Sequence, residues 1–142
     1  ARLTLEIALA LQAAALDAAG RLARVPLAIV IVDEAGREKA VAVQDGAGPY
    51  RVQIARAKAA TAIGMGIGTR ALAECFERRM LPDRFAQGLA ATCDGGFLAQ
   101  PGGLLLEGKQ GPLGAIGISG APSDTDEAVG LAAMTAVGLS GN

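Results

Sequence analysis

Histidine and tryptophan are absent from the 142-residue chain, and its aromatic side chains are Tyr50 and three phenylalanines. Without histidine there is no Ser-His-Asp or Cys-His triad, no imidazole metal ligand and no side chain that ordinarily titrates near neutrality. Basic runs are equally scarce, none longer than Arg78-Arg79, and 13 Lys plus Arg stand against 14 Asp plus Glu. Sequence-independent nucleic-acid binding requires the neutralisation of several phosphates, so nucleic acid is not an expected partner. The two cysteines, Cys75 and Cys93, match no zinc spacing and are expected to be reduced and mostly buried. The most apolar stretch, Leu3 to Leu22, carries Glu6, Asp17 and Arg21, which suits an amphipathic helix and not a membrane span. No signal-peptide pattern opens the chain, and the cytoplasm is the expected location.

What the chain has in excess is small residues, 31 alanines and 20 glycines. A core made from them fills by close approach of backbones, not by large rings. The length fits one domain over residues 1–142.

Hydrophobic spacing predicts a first helix from about Leu3, with Thr4 as N-cap and a stripe of Leu3, Ile7, Leu11 and Leu16 widened by Leu5 and Leu9. Leu27 to Val32 reads as a central strand covered on both faces, since it has no polar alternation. Asp33 to Gly36 turns it into a second strand, Arg37 to Gln44. A helix follows over Arg51 to Ile63, with Ile54, Ala55, Lys58, Thr61 and Ala62 on one side. Gly64, Gly66 and Gly68 read as a kink between helices, because a helix and not a strand precedes them, as a dinucleotide loop would need. Thr69 is expected to cap a further helix through about Met80, with a short helix over Phe85 to Ala91. Strands are predicted at Phe97–Ala99, Leu104–Glu107 and Leu113–Ile118, then a helix capped by Ser123 with Asp124, Asp126 and Glu127 in its first turn. This order is not the βαβ alternation of a parallel sheet. It predicts an α+β, three-layer domain with an antiparallel sheet of about five strands.

Lys58 is the unusual residue, because it lies mid-helix on the side shared with Ile54 and Thr61. Three readings compete: a snorkelling lysine, a fixed cation for a carboxylate ligand, and a desolvated base or Schiff-base nucleophile. Pro101-Gly102-Gly103 offers backbone N–H groups to an oxyanion, or is an ordinary tight turn. Asp33-Glu34 and the Asp124-Asp126-Glu127 set read as turn and helix-start charges, and no metal site is expected.

Several runs resemble one family in a fixed order: Ile31 to Gly36, Gln44 to Ala47, Ile54 to Ala62, Pro101 to Gly103, Gly114 to Gly120, and Asp126-Glu127. Together they look like the GlcG/HbpS family across nearly the whole chain. The resemblance implies a profilin-like α/β/α sandwich, homo-oligomers and, in some members, haem binding or degradation. Members also include a glycolate-utilisation companion and a domain attached to a corrinoid adenosyltransferase. The segment Met80 to Gln100 departs from the pattern. Haem ligation by histidine is unavailable here, which leaves Tyr50, a thioether such as Met65, the thiols, or a hydroxyl contact through Thr61 or Thr69.

The leading expectation is therefore an oligomeric binder of a small anionic or tetrapyrrole ligand. Lys58, Arg51, the Gly102-Gly103 turn and Ser119 would hold it, with hydroxyl contacts from Thr61 or Thr69. The alternative is a cofactor-free lyase, isomerase or hydrolase acting on a small oxidised acid. In that reading Lys58 or Asp45 is the base, Tyr50 donates a proton, and the Gly102 and Gly103 amides stabilise an oxyanion. A third reading is an accessory subunit whose Ala-rich helices pack on a partner protein.

Overall fold

The computed structural model describes residues 2–142. Its elements run α1 (Leu5–Leu22), β1 (Ala28–Asp33), β2 (Glu38–Val43), α2 (Pro49–Met65), α3 (Thr69–Glu77), α4 (Asp83–Thr92), β3 (Gly103–Gly108), β4 (Gly111–Ser119), α5 (Ser123–Ala136) and β5 (Ser140–Gly141). The strands form one antiparallel sheet in the order β2-β1-β4-β3-β5. No helix among the described residues is long and apolar enough to cross a membrane.

Strand pleating splits the core in two. Ile29 and Ile31 of β1 and Ile116 and Ile118 of β4 face one side, where they pack with Ala8, Leu11, Ala15 and Ala18 of α1 and Val129, Ala133 and Met134 of α5. Ala28, Val30, Val32 and Ala115 face the other side, against Ala55, Ala59 and Ala62 of α2. The result is the expected three layers: α1 and α5, the sheet, then α2. All six residues of β1 are buried, as a strand without polar alternation must be.

The α2 layer lies unusually close. At Gly117 of β4, an added Cβ would overlap the Ala55 carbonyl oxygen and stand 2.8 Å from the Ala59 amide nitrogen. Glycine at that site lets helix backbone rest on strand backbone.

Thr4 caps α1 as expected, its hydroxyl accepting from the Ile7 amide at 3.1 Å. The core-facing row is Ala8, Leu11, Ala15, Ala18 and Ala19, whereas Leu5 and Leu9 are half exposed. Leu3, Ile7 and Leu16 also pack against this layer, so the expected stripe holds except at Leu5 and Leu9. Thr69 and Ser123 are not caps but the first residues of α3 and α5, preceded by Gly68 and Pro122. Helix α2 runs through Gly64 and ends at Gly66, whose left-handed backbone (φ +72°) sends its N–H to the Ala62 carbonyl. Phe97–Ala99 is not a strand, and the fifth strand is the C-terminal Ser140–Gly141. The cysteines are free, but Cys75 on α3 is half-buried, and Cys93 is exposed because α4, which it caps, lies outside the core.

Asp33 closes the β1–β2 turn as a turn residue should. Its buried carboxylate accepts from the Ala35 and Arg37 amides, each at 2.9 Å, and from the Arg37 guanidinium at 2.9 Å. Burial pushes its pKa up, but the two amides and the guanidinium outweigh that and hold it below the usual carboxylate value.

Candidate functional site

Lys58 lies on the buried row of α2 with Ala55, Ala59, Thr61 and Ala62. Only 1% of it is exposed, so it does not snorkel. Its Nζ donates to the Ile118 carbonyl at 2.9 Å and to Asp126 Oδ2 at 3.1 Å. The other Asp126 oxygen accepts from the Ala121 amide at 3.0 Å. Because α2 and α5 lie on opposite faces of the sheet, this ion pair links the outer layers past the end of β4. Gly102 (φ +122°) makes room for it: a Cβ there would stand 2.7 Å from Nζ and 2.9 Å from the Ile118 carbonyl oxygen.

Most of the other expected site residues gather around this pair, in a packed cluster. The Gly103 amide donates to the Thr69 hydroxyl at 2.8 Å, and that hydroxyl returns a bond to the Gly103 carbonyl at 3.2 Å. Ser119 is buried at the end of β4. Arg51 is exposed on the first turn of α2, near enough for its charge to act on both members of the pair. Lys58 is therefore inward-facing but enclosed, its charge met by Asp126 and not held open for a ligand. The Gly103 N–H is likewise engaged. Asp45 and Tyr50 are exposed, Tyr50 by 70%, and neither shares a hydrogen bond with the cluster among the described residues. A base, a proton donor and an oxyanion site are not brought together around Lys58.

Asp126 is the residue that sequence reasoning missed, by treating it as a helix-start charge. Asp124 and Glu127 hold Arg70 at the surface, but Asp126 points inward. The signal was available: Asp126 shares a three-four row with Val129, Gly130 and Ala133. Burial dominates the ionisation of both partners, raising the Asp126 carboxyl above its usual value and lowering the Lys58 ammonium below its own.

Beside this cluster, Thr61 reaches a real cleft. Its hydroxyl donates to the Ala57 carbonyl at 2.7 Å and accepts from the Leu98 amide at 2.8 Å, which ties the 93–98 loop to α2. The cleft has a volume of about 470 Å³, within the usual range of small-molecule sites. Its walls are Ala60, Thr61, Ile63 and Met65 of α2, the β1–β2 turn, Leu89 of α4, and Cys93 and Phe97 beyond it. Glu34 and Asp94 lie on its border. A groove of about 650 Å³ by Asp45 is larger, but it is open, and its one side-chain amide, Gln44, already accepts from the Leu27 N–H at 2.8 Å.

Of the candidate ligands to haem iron, the cleft collects Met65 and Cys93, whereas Thr61, also in its wall, has its hydroxyl engaged by Ala57 and Leu98. Tyr50 lies at the opposite end of α2 from Met65. The walls contributed by the segment that departs from the family pattern, Leu89, Cys93 and Phe97, were not legible in sequence.

One antiparallel sheet clad by helices on both faces, with an apolar cleft along α2, defines a three-layer α/β/α domain with a small-molecule-sized site. The model of the family described as haem degrading protein HbpS-like matches residues 3–135, and the chain belongs to that family. No curated protein matches the sequence. Among solved structures, a PduOC–haem complex is 26% identical, with a TM-score of 0.84 over 99% of this chain and 98% of that one. HbpS is 32% identical, with a TM-score of 0.80 over 96% and 90% of the two chains. Protein ORFY of Klebsiella pneumoniae shares the fold at 23% identity, with a TM-score of 0.80 over 95% and 90%.

Proposed function

We propose that this protein binds a haem-like tetrapyrrole in the cleft between α2, the β1–β2 turn and α4. The observation that carries the reading is the meeting of Met65 and Cys93 with the apolar walls Ala60, Ile63, Leu89 and Phe97. The solved PduOC–haem complex supports the choice of ligand class. Haem iron is held in proteins by His, Cys, Met or Tyr. With no histidine in the chain, the thioether of Met65 and the thiol of Cys93 are the donors this cleft offers. Bound haem would supply its iron and a broad apolar face, while Ile63, Leu89 and Phe97 exclude water from that face. The mostly apolar lining of the cleft favours a ligand held by apolar area over a small anionic metabolite.

Hemin titration followed by the Soret band tests this reading. Gly64 lines the cleft, and a Cβ added there meets nothing within 4 Å, so Gly64→Trp fills the site without disturbing the fold. Losing about 100 Å² of apolar contact at about 25 cal/mol per Å² weakens binding by about 2.5 kcal/mol, or about 60-fold. Gly20→Trp, equally uncrowded but in the Asp45 groove, should bind as wild type does. Equal affinity in Gly64→Trp and wild type, or no Soret change at all, overturns the proposal.

The same reading makes the protein a homo-oligomer. Leu5 and Leu9 on α1 and Val41 and Val43 on the edge strand β2 are 41–53% exposed, and this outward apolar surface supports it. Sedimentation as a single monomeric species at micromolar concentration would count against that part.

A further inference from the structure

Helix α4 has no buried residue, whereas each of the other helices buries part of one face. It scarcely touches any other helix or strand. Yet its sequence is amphipathic: Phe85, Leu89 and Cys93 fall four residues apart, on one row. Two members of that row, Leu89 and Cys93, already line the cleft, and Phe85, 37% exposed, continues it outward. A ten-residue helix without tertiary packing is marginal in water. Its apolar row is thus matched to something that the rest of the chain does not provide.

The flanks of α4 are built differently from α4 itself. Phe76, at the end of α3, and Phe97 stack edge to face at 6.2 Å and clasp the neck of the intervening segment. The far side of that neck is pinned by the Leu98 amide on Thr61. Inside the neck lie residues with left-handed backbone: Arg79 at φ +56°, then Gly95 and Gly96 at +84° and +88°. Arg79 is costly there for a side chain with a Cβ, and turns of this kind absorb large backbone changes. A fixed neck, two turn points and an unpacked helix lie over one edge of the cleft.

We propose that residues 78–96 form a lid, turning at Arg79 and at Gly95-Gly96, that closes over the cleft by seating Phe85 and Leu89 on the bound ligand. This rests on the ligand reading above. In the free protein, α4 opens locally while the sheet and α2 stay folded. Ligand entry then needs no disturbance of the core, and ligand exit is governed by how firmly Phe85 and Leu89 sit.

Hydrogen exchange of the full chain, with and without hemin, tests the lid. Free, the α4 amides should exchange at least about 100-fold faster than those of α2. Hemin should slow the α4 amides by about 10-fold or more, and Phe85→Ser should speed hemin dissociation by about 10-fold with association little changed. The stability of free Phe85→Ser should match wild type, since Phe85 is not part of the core. Protection of α4 equal to that of α2 in the free protein overturns the lid. So does hemin binding, shown by its Soret band, that leaves both α4 exchange and Phe85→Ser dissociation unchanged. A wild-type protein that shows no Soret change overturns the ligand reading, and with it the closing step, whatever the exchange rates are.

Discussion

Lys58→Met is expected to lower stability by about 3–5 kcal/mol at pH 7, read as a fall in the urea midpoint with an unchanged slope. Methionine fills much the same space, so packing loss is minor and the cost is electrostatic. The substitution strands Asp126, which is 1% exposed, with the Ala121 amide as its remaining direct partner. It also removes the donor to the Ile118 carbonyl. A buried carboxylate without a counter-charge must either stay ionised in a poor solvent or take up a proton.

That choice sets the pH dependence. Burial already raises the Asp126 carboxyl in the intact protein, against the opposing pull of Lys58. Without Lys58 it rises further. Between the ordinary carboxylate value near 4 and the raised folded value, the folded chain of the variant then binds more protons than the unfolded one, so stability grows as pH falls. The deficit of Lys58→Met relative to wild type should therefore shrink between pH 7 and pH 5. A constant deficit would mean that lost packing, not charge, is responsible. Adding Asp126→Asn removes the stranded charge while keeping an acceptor for the Ala121 N–H, and should recover more than half of the loss. A double variant no better than the single would sink the ion-pair account.

The pair also shows where sequence reading succeeds and where it stops. Lys58 was legible as inward-facing because helical periodicity places it between Ala55 and Ala62. Its partner was not, because acidic residues in a first helical turn ordinarily serve the helix dipole, and Asp124 and Asp126 look alike until the apolar row of α5 is traced. The Gly102-Gly103 turn was legible as a place of close approach. What approaches is the Lys58 side chain and the Thr69 hydroxyl, each more than 30 residues away in sequence, and no local pattern encodes that. Leu27–Val32 was plain as a central strand, since only double-sided burial tolerates such a run. The stripe of α1 was legible in Leu3, Ile7, Leu11 and Leu16, which all join the core layer, but Leu5 and Leu9 turn outward and alanines fill the rest of the buried face. Helix α4 was legible as a short helix over Phe85 to Ala91, but the wall it lends the cleft was not, because its apolar row has no partner in the chain's own core.

Gly117→Ala should have the other large effect, although it adds a single methyl group. That carbon would overlap the Ala55 carbonyl oxygen and come within 2.8 Å of the Ala59 nitrogen, so both obstacles are helix backbone and no rotamer relieves them. Either α2 lifts from β4 or the sheet bends. Ala28, Val30, Val32 and Ala115 fill the same layer, and any lifting opens their contacts with Ala55, Ala59 and Ala62 as well. Overpacking of a tight core costs about 1–3 kcal/mol, and the backbone clash puts Gly117→Ala at the upper end, about 3 kcal/mol. Gly117→Val should leave little soluble protein. The neighbouring small position behaves differently: Ala115 already carries a Cβ against α2, so Ala115→Gly should cost less than Gly117→Ala. Function should follow the helix, because Thr61 and Met65 ride on α2 and define one wall of the cleft. Soluble Gly117→Ala should bind hemin at least about 10-fold more weakly than wild type, as expected when a binding wall is displaced. Wild-type midpoint and wild-type affinity together in Gly117→Ala would show that α2 does not rest on β4 at this glycine.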